Sequence, residues 1–539
     1  MIINKNSVVL TVAVMLGILY ACVTPRSANQ GTSSQQSGSY REQHRPQFHF
    51  SPATQWMNDP NGMVFYDGEY HLFYQFYPDS NVWGPMHWAH AVSKDMVYWE
   101  HLPIAIYPDS LGYIFSGSAV VDWNNTSGFG INGKPPLVAM FTYHNVKAEK
   151  AGRSDYENQG IAYSNDRGRT WIKYSGNPAL VNTSNHKDFR DPKLVWDDDS
   201  KQWVVVLAVG DHTEFWGSPN LKKWRYLGEF GKELGAHGGV WECPDLFSIK
   251  VAGTGEKKWI LIVNLNPGGP NGGSGTQYFV GNFDGKQFIP DPNFAQLVPK
   301  GKGMWLDWGK DNYAGVTWSD VPSKDGRRLL LGWMSNWEYA QIVPTTVWRN
   351  ATTLPREMVL KQTQDGYRLY SQPARELEKL RATPFQMPAT TLSEPINLTD
   401  KTGFSPAQSE WMLEFIPPVG SNVRCGIELS NEKNETYRIG FDAAKNQFFS
   451  DRTNAGNHAF SDKFANNVHI SPRFSKDNTV RLHVFFDAAS AELFADDGAT
   501  LMTELYFPST NFSRIKIFAE GGDVSLAKCQ GYLLKRIWK

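Results

Sequence analysis

The stretch DPNGMVFYDGEYHLFY at residues 59–74 has a proline near its start, a short apolar run, an Asp-Gly turn and a second apolar run. This is a strand–turn–strand unit, and four weaker copies follow it along the chain. Strand units that recur every roughly 50–75 residues predict a β-propeller with radial blades. Five units predict five blades, whereas a large sandwich built from unrelated hairpins is the alternative. The four later copies pair residues 116–121 with 137–141, 191–195 with 203–207, 244–247 with 259–263, and 312–316 with 329–333.

The propeller is predicted to occupy residues 44–360, where long helical periodicity is almost absent. The one good helix-like segment is PARELEKLR at residues 373–381, in which Leu377 and Leu380 share a face. We interpret residues 361–382 as a linker that contains this short helix. Alternating strands separated by turns return beyond it, so residues 383–539 are predicted to form a β-sandwich. The whole chain is therefore expected to be all-β.

Composition excludes several classes of protein. With 41% apolar and 20% charged residues among 539, the chain is neither disordered nor collagen-like. A net charge of −1 provides no field that would attract nucleic acid. The four cysteines include no CxxC pair, which argues against a thiolate zinc site. Aromatic content is high at 14%, with 20 Trp, which suits both a β-rich core and stacking on sugar rings.

The N-terminal segment predicts export. Residues 1–22 contain a basic residue, an apolar run of about a dozen residues that is too short to span a bilayer, and Cys22 after a small residue. This pattern is typical of a bacterial lipoprotein signal with Cys22 as the lipidated N-terminus; a plain cleaved signal peptide is the alternative. Residues 23–43 are rich in Ser, Gly, Gln and Thr and predict a flexible tether. The protein is thus expected to be exported and lipid-anchored at the bacterial cell envelope, in the periplasm or at the surface.

Three acidic residues lie at or near the starts of predicted inner strands, where a propeller would bring them to one axis. They are Asp59 in WMNDPNG, Asp191 in FRDP and Glu242 in WECPDLF. Each has a plain structural interpretation on its own: an Asx-turn, a surface ion pair and a solvent-facing strand residue, respectively. All three segments contain proline and belong to the repeat units, which favours a shared function.

The local sequence also predicts how two of these acids behave. Arg190 adjoins Asp191 and is expected to depress the pKa of that carboxyl and keep it charged. Glu242 lies between apolar neighbours, so desolvation is expected to raise its pKa, as a general acid requires. In a regular strand, Trp241 and Cys243 would point to the face opposite Glu242, so Cys243 is expected to pack away from the acid.

Two carboxyl groups of different pKa are the requirement for glycoside hydrolysis. One protonates the departing oxygen, and the other attacks the anomeric carbon or activates water. A third carboxylate can bind sugar hydroxyls and stabilise the positive charge that develops in the transition state.

On this basis the chain resembles glycoside hydrolase family 32, which comprises the invertases, inulinases and levanases. The resemblance covers residues 44 to about 360, in family order. In the C-terminal part, FFSDRT (448–453) and AELF (491–494) followed by Asp497-Gly498 resemble the family's sandwich domain. It implies a five-bladed propeller followed by a β-sandwich, with no metal or organic cofactor. The matching segments are WMNDPNG (56–62), FSGS (115–118), ENQGIAYSNDRGRTW (157–171), FRDP (189–192), WECPDLF (241–247), DWGKDNYA (307–314), SNWEYA (335–340) and WRNATTLPRE (348–357).

The resemblance also implies roles for individual residues. Asp59 would be the nucleophile, Glu242 the acid/base and Asp191 the transition-state stabiliser, with retention of configuration. Glu338 and Tyr339 would lie near the fructose pocket. The residues implied to bind the sugar are Asn58, Gln75, Trp83, Phe115, Ser116, Arg190 and Trp337.

The function expected from this resemblance is hydrolysis of β-fructofuranosidic linkages in levan or inulin, with exo-action that releases fructose. Endo-action, a preference for sucrose and transfer of the fructosyl group to another acceptor are alternatives within the enzyme class. A non-catalytic fructan-binding lipoprotein is the alternative outside it. Fructan or fructo-oligosaccharide is the expected partner, with membrane contact only through the lipid on Cys22. Cys425 and Cys529 both lie in the predicted sandwich and could pair after export.

Overall fold

The structure is a computed structural model in which residues 40–538 are described. The predicted signal segment, including Cys22, and residues 23–39 of the predicted tether lie outside these residues. Residues 40–43 differ from the tether prediction because they contact the folded chain. The Tyr40 ring stacks on Trp538 with 4.1 Å between centroids, and Gln43 Nε2 donates to the carbonyl of Pro508. No helix within residues 40–538 is long and apolar enough to cross a bilayer.

The first part of the chain forms five antiparallel sheets, which correspond to the five sequence units. The first three sheets each contain four consecutive strands. Their bounds are β1 Gln55–Tyr66, β2 Glu69–Tyr77, β3 His87–Ser93 and β4 Trp99–Ile106; β5 Tyr113–Val121, β6 Leu137–His144, β7 Glu157–Ser164 and β8 Ile172–Lys173, with helix α1 Val146–Lys150 after β6; and β9 Phe189–Asp197, β10 Gln202–Val209, β11 His212–Ser218 and β12 Arg225–Phe230.

The fourth sheet also contains four consecutive strands. The fifth contains four longer strands and one strand of two residues. A parallel pairing of β19 with β1 joins the last part of the propeller to its first sheet. The bounds are β13 Val240–Lys250, β14 Lys257–Asn266, β15 Gly275–Phe283 and β16 Phe288–Pro290, followed by helix α2 Pro292–Leu297; then β17 Tyr313–Thr317, β18 Arg328–Met334, β19 Trp348–Arg349, β20 Ala351–Thr352, β21 Arg356–Thr363 and β22 Gly366–Pro373.

The innermost strands of the five sheets form a closed ring. β1 contacts β5, and the contacts continue through β9, β13 and β17 back to β1. The next strands outward, such as β6 and β10, are buried along their whole length because neighbouring blades cover both faces. This explains why their sequences are continuous apolar runs rather than alternating ones. The predicted five-bladed propeller is confirmed.

The propeller extends further along the chain than predicted. Strands β21 and β22 pair with each other and, through β21, with β18, so residues 361–373 belong to the fifth sheet rather than to a linker. The short helix that follows is a 3-10 helix at Arg375–Leu380, and it buries Leu377 and Leu380 as their spacing predicts.

The C-terminal part forms a β-sandwich of two sheets, as predicted. One sheet has the order β23-β35-β26-β31-β32-β33, with β24 paired to β35, and the other has the order β25-β34-β27-β28-β29-β30. Cys425 and Cys529 lie in the core between the sheets as free thiols. The bounds are β23 Arg381–Met387, β24 Thr390–Leu392, β25 Ile396–Asn397, helix α3 Leu398–Thr402, β26 Gln408–Ile416, β27 Arg424–Ser430, β28 Thr436–Asp442, β29 Gln447–Asn454, β30 His469–Pro472, β31 Val480–Asp487, β32 Ser490–Ala495, a 3-10 helix at Asp496–Gly498, β33 Thr500–Leu505, β34 Arg514–Glu520 and β35 Val524–Leu534.

Candidate active site

All five inner strands are irregular at the same level of the channel. Each loses its register with its neighbour over two residues, so that every blade carries a β-bulge near the start of its inner strand. Bulges re-aim side chains and are common beside active sites. Proline lies in two of them, where its missing N–H breaks no ladder bond, and follows directly after a third. The irregular pairs are Asn58–Asp59 in β1, Phe115–Ser116 in β5, Asp191–Pro192 in β9, Cys243–Pro244 in β13 and Ala314–Gly315 in β17, with Pro60 flanking the first.

The Asp59 carboxylate is held through both of its oxygens. Ser116 Oγ donates to Oδ2 at 2.6 Å, and Asn58 Nδ2 donates to Oδ1 at 3.0 Å. The Asn58 amide is itself fixed, because Trp56 Nε1 donates to its oxygen at 2.7 Å. Two neighbouring blades therefore orient this carboxylate.

Asp191 lies deep in the site on a left-handed backbone with φ 60°. Its Oδ2 accepts from the backbone N–H of Cys243 at 2.9 Å. Burial raises the pKa of Asp191 to about 8, although Arg190 acts in the opposite direction. The prediction that Arg190 keeps this carboxyl at a depressed pKa is therefore wrong. The Arg190 guanidinium is directed elsewhere, with its Nε 3.9 Å from Asp191 Oδ2.

The Arg190 guanidinium, which was expected to act on Asp191, contacts Glu242 instead. Arg190 Nη2 lies 2.9 Å from Glu242 Oε1, and the Tyr313 hydroxyl donates to Oε2. Burial raises the pKa of Glu242 above its ordinary value, while Arg190 and Tyr313 oppose the rise. The predicted direction is confirmed for this acid.

Cys243 points into the acid cluster, contrary to the prediction that it packs away. Its Sγ lies 3.5 Å from Asp59 Oδ2 and 3.6 Å from Asp191 Oδ2. The bulge and a φ of 43° at Cys243 break the alternation on which the prediction relied. Burial raises the pKa of the thiol well above its ordinary value, so it remains an S–H donor beside two carboxyl groups.

The carboxyl groups of Asp59, Asp191 and Glu242 line a cavity of about 400 Å³. Aromatic rings form part of its wall, since Phe115 stacks on His144 with 4.2 Å between centroids and Trp337 stacks on Trp56 at 6.0 Å. The structure brings all ten residues predicted for the site to this cavity. They are Asn58, Asp59, Gln75, Trp83, Phe115, Ser116, Arg190, Asp191, Glu242 and Trp337.

Five further lining residues were missed by sequence reasoning: His144, Glu149, Tyr156, Glu157 and Asp188. Glu157 begins the ENQGIAYSNDRGRTW segment, so that motif could have revealed it. Of the other four, three lie at or beside the ends of blade strands, and Glu149 lies in helix α1. None has a motif of its own, and only the fold brings them to the cavity.

Glu338 and Tyr339, which are expected near the pocket, follow the lining residue Trp337 but are not themselves among the lining residues. Glu338 Oε2 pairs with Lys310 Nζ at 2.9 Å. Tyr339 is fully buried, and Arg452 of the sandwich donates to its hydroxyl at 2.9 Å. Both residues therefore have structural contacts. Within residues 40–538, no group of three or more His, Cys, Asp or Glu side chains is arranged to hold a metal ion.

The two parts of the chain match the two domains of a known family. Residues 49–373 match the glycosyl hydrolases family 32 N-terminal domain, and residues 376–532 match the glycosyl hydrolases family 32 C-terminal domain. The chain belongs to glycoside hydrolase family 32. As a family 32 member it is a glycoside hydrolase, and the boundary between the two matches agrees with the end of the fifth blade at Pro373.

Individual family 32 proteins are similar over nearly the whole chain. A levanase of Bacillus subtilis (strain 168) is 46% identical over 503 residues, which cover 93% of this chain and 72% of that protein. The crystal structure of exo-inulinase from Aspergillus awamori superposes with a TM-score of 0.83 at 35% identity, covering 93% of this chain and all of that one. A β-fructofuranosidase from Schwanniomyces occidentalis complexed with fructosyl-erythritol gives a TM-score of 0.81 at 31% identity, covering 92% and 98%.

Proposed function

We propose that this enzyme hydrolyses β-fructofuranosidic linkages of fructans, levan or inulin, from the chain end and releases fructose. The observation that carries the proposal is a cavity of about 400 Å³ that brings the carboxyl groups of Asp59, Asp191 and Glu242 together with an aromatic wall. Beyond the acids, the channel narrows to a void of about 10 Å³, so a sugar enters from one side only. Relatives named levanase and exo-inulinase support the choice of substrate and mode.

In the first step, Asp59 attacks the anomeric C2 of the terminal fructosyl unit. A C2–O bond to the Asp59 carboxylate forms as the glycosidic C2–O bond breaks, and Glu242 gives its proton to the departing oxygen. Burial suits Glu242 to this role, because it favours the protonated form before the reaction. The contacts of Ser116 and Asn58 hold Asp59 in one orientation for attack.

In the second step, Glu242 takes a proton from water, and the water oxygen forms a bond to C2 as the bond to Asp59 breaks. Two inversions give net retention. Asp191 binds fructosyl hydroxyls and acts on the developing positive charge. Burial raises the pKa of Asp191, and a positive centre beside it acts in the opposite direction by stabilising the carboxylate form. Asp191 therefore interacts more strongly with the transition state than with the ground state.

The remaining cavity residues bind the sugar. The rings of Trp83, Phe115 and Trp337 supply apolar surface for the sugar, and polar groups fix its hydroxyls. The polar residues in this role are Asn58, Gln75, Ser116 and Arg190.

Product analysis tests this proposal. The purified enzyme is incubated with levan, inulin and sucrose, and products are followed by chromatography over time. Fructose as the only early product from a polymer is the expected result, and the faster polymer identifies the linkage. A ladder of oligosaccharides would establish endo-action, and faster turnover of sucrose than of either polymer would establish an invertase. Fructosylated products longer than the substrate would establish transfer, and no product from any substrate would favour a fructan-binding lipoprotein.

The nucleophile is tested by Asp59→Ala, with Glu149→Gln as a matched change of an acid on the same cavity. We expect Asp59→Ala to lower kcat by about 10⁴-fold or more, because the covalent route is lost. Glu149 is not required by the proposed chemistry, so Glu149→Gln is expected to retain kcat within about tenfold. Turnover by purified Asp59→Ala close to that of the unmodified enzyme contradicts the assignment.

We further propose that residues 1–22 direct export and that Cys22 carries a lipid anchor at the cell envelope. The residue pattern supports this, and an exo-inulinase relative is described as extracellular. Expression in a bacterial host with radiolabelled palmitate tests it. Label in the unmodified chain and none in Cys22→Ala is expected, whereas label in neither supports a plain cleaved signal.

A further inference from the structure

A second cavity lies at the opposite end of the propeller channel. It has a volume of about 460 Å³, within the range of about 300–1,000 Å³ that small-molecule sites occupy. Its walls come from the far ends of the inner strands, including Val121 of β5, Trp196 of β9 and Ser248 of β13. These residues are five or six positions beyond the site residues of the same strands, which places the two cavities about 16–20 Å apart. We call this space the rear cavity.

The rear cavity is separate from the active site. Lys193 closes the channel between them, because its Nζ donates to the carbonyl of Thr317 at 2.7 Å and lies 3.2 Å from Asp245 Oδ1. The small void of about 10 Å³ lies on the active-site side of this closure. A ligand in the rear cavity therefore does not reach the carboxyl groups of Asp59 and Glu242.

An exposed tryptophan stands at the rim of the rear cavity. Trp123 is 60% exposed, yet its ring is fixed, since Nε1 donates to Asp320 Oδ1 at 2.8 Å and the ring lies 6.0 Å from that of Tyr66. Trp196, which is half-buried, also lines the cavity and is held by a 3.0 Å bond from its Nε1 to Asp198. Aromatic rings beside polar groups in a cavity offer apolar faces on which a ligand can stack. Rings held in place lose little entropy when a ligand stacks on them.

The polar groups of the rear cavity suit a neutral ligand rich in hydroxyls. The lining includes three basic residues (Lys193, Lys257, Arg328) and three acidic ones (Asp197, Asp198, Asp320), so their formal charges cancel. Arg328 Nε donates to the carbonyl of Ser248 at 3.0 Å, and this is the only hydrogen bond of its guanidinium within residues 40–538. Its terminal N–H groups are thus available as donors. Asp320 lies in the same lining, and its two oxygens accept from Trp123 Nε1 and from the backbone N–H of Val121.

We propose that the rear cavity binds a short segment of the fructan substrate by stacking on Trp123 and hydrogen bonding to Arg328 and Asp320. This inference rests on the proposed function for its choice of sugar. A polymer held at this second site stays at the enzyme surface between turnovers, while the chain end is cleaved at the opposite mouth. Binding at two sites raises the apparent affinity of the enzyme for long substrates. It does not raise the affinity for a substrate as small as sucrose.

Binding is tested with the full chain carrying Asp59→Ala, which leaves the polymer undigested, by electrophoresis in gels that contain levan or inulin. Adding Trp123→Ala is expected to weaken retardation, with a three- to tenfold rise in apparent Kd, about the loss of one stacking contact. Trp123→Phe retains a ring and is expected to keep most of the binding. Tyr226→Ala is the matched control, since Tyr226 is 48% exposed and lies outside both cavities; no change is expected.

Kinetics separate this proposal from the proposed function. In the active enzyme, Trp123→Ala is expected to raise KM for the polymer three- to tenfold and to leave kcat/KM for sucrose within twofold. Unchanged retardation and unchanged polymer KM in Trp123→Ala overturn the rear site even if fructan is hydrolysed. Trp123-dependent retardation without any fructan hydrolysis supports the rear site and overturns the proposed function. Trp123-dependent retardation by an anionic polysaccharide, and none by levan or inulin, overturns the assignment to fructan.

Discussion

At the scale of single residues, Glu242, the proposed proton donor, is surrounded by groups from three different blades. Its own strand buries it, Arg190 of the third blade lies 2.9 Å from one oxygen, and Tyr313 of the fifth blade donates to the other. Burial raises the pKa of Glu242, and the two donors limit the rise because they stabilise the carboxylate. The pKa of Glu242 therefore reflects burial on one side and these two donors on the other.

Removing the Tyr313 hydroxyl tests this balance. Tyr313→Phe deletes a donor to the carboxylate, so the pKa of Glu242 rises and its protonated form persists to higher pH. One hydrogen bond of about 1 kcal/mol corresponds to a shift of roughly 0.7 pH units. The alkaline limb of kcat/KM against pH is therefore expected to move upward by about 0.5–1 unit. The pH profiles of the two enzymes on one substrate check this, and an unmoved or downward-shifted limb contradicts it.

At the scale of elements, the β-bulges of the five inner strands shape the candidate active site. A regular strand would send alternate side chains into the neighbouring blades. The bulges instead turn Asp59, Asp191 and Cys243 toward one another at the same level of the channel. The bulge of β5 requires a glycine at position 117, because a Cβ there would lie 2.1 Å from the carbonyl oxygen of Met140 in β6.

Gly117→Ala is therefore expected to displace β5 from β6 and to move the adjoining Ser116 away from Asp59. We expect a loss of about 1–3 kcal/mol in the free energy of unfolding and a lower kcat/KM. Gly315→Ala is the matched control in the fifth blade, where the nearest atom to a Cβ is 3.7 Å away. Urea unfolding and initial rates measure both effects. Equal stability and activity in the two variants would contradict the proposal that the bulge of β5 needs β5 and β6 to lie this close at Gly117.

At the scale of the whole molecule, buried charges join the propeller to the sandwich. Arg356 of β21 lies 2.7 Å from Glu492 of β32, and His49, which precedes β1, bridges Asp487 at 2.7 Å and Glu492 at 2.9 Å. All four side chains are buried, so breaking one pair leaves an uncompensated charge. Through this network, the sandwich contributes to the free energy of unfolding of the propeller.

The network predicts a loss of stability at alkaline pH. Burial alone lowers the pKa of His49, but the bonds to Asp487 and Glu492 outweigh it and raise the pKa to about 9. A histidine whose pKa is raised on folding stabilises the folded state fully below about pH 6.5, and this contribution disappears as pH rises through 9. The loss corresponds to about 3 kcal/mol.

His49→Gln keeps a neutral hydrogen-bonding side chain and is expected to remove this pH dependence. The difference in thermal midpoint between the two proteins should be largest at pH 6–7 and shrink toward pH 10. A difference that stays constant between pH 6 and pH 10 contradicts a charged His49 in the interface.

The sequence by itself determined the strand repeat, the number of blades, the sandwich and which three acids of the inner strands meet at one cavity. These follow from local patterns: apolar runs, turn residues and proline beside each acid. Only the tertiary structure decided how the acids are surrounded. Cys243 faces the cluster because a bulge breaks alternation, and burial outweighs Arg190 at Asp191. His144 and Asp188 reach the cavity only through the assembled blades. Burial and charge at a propeller axis come from residues far apart in the chain, so sequence neighbours do not set them.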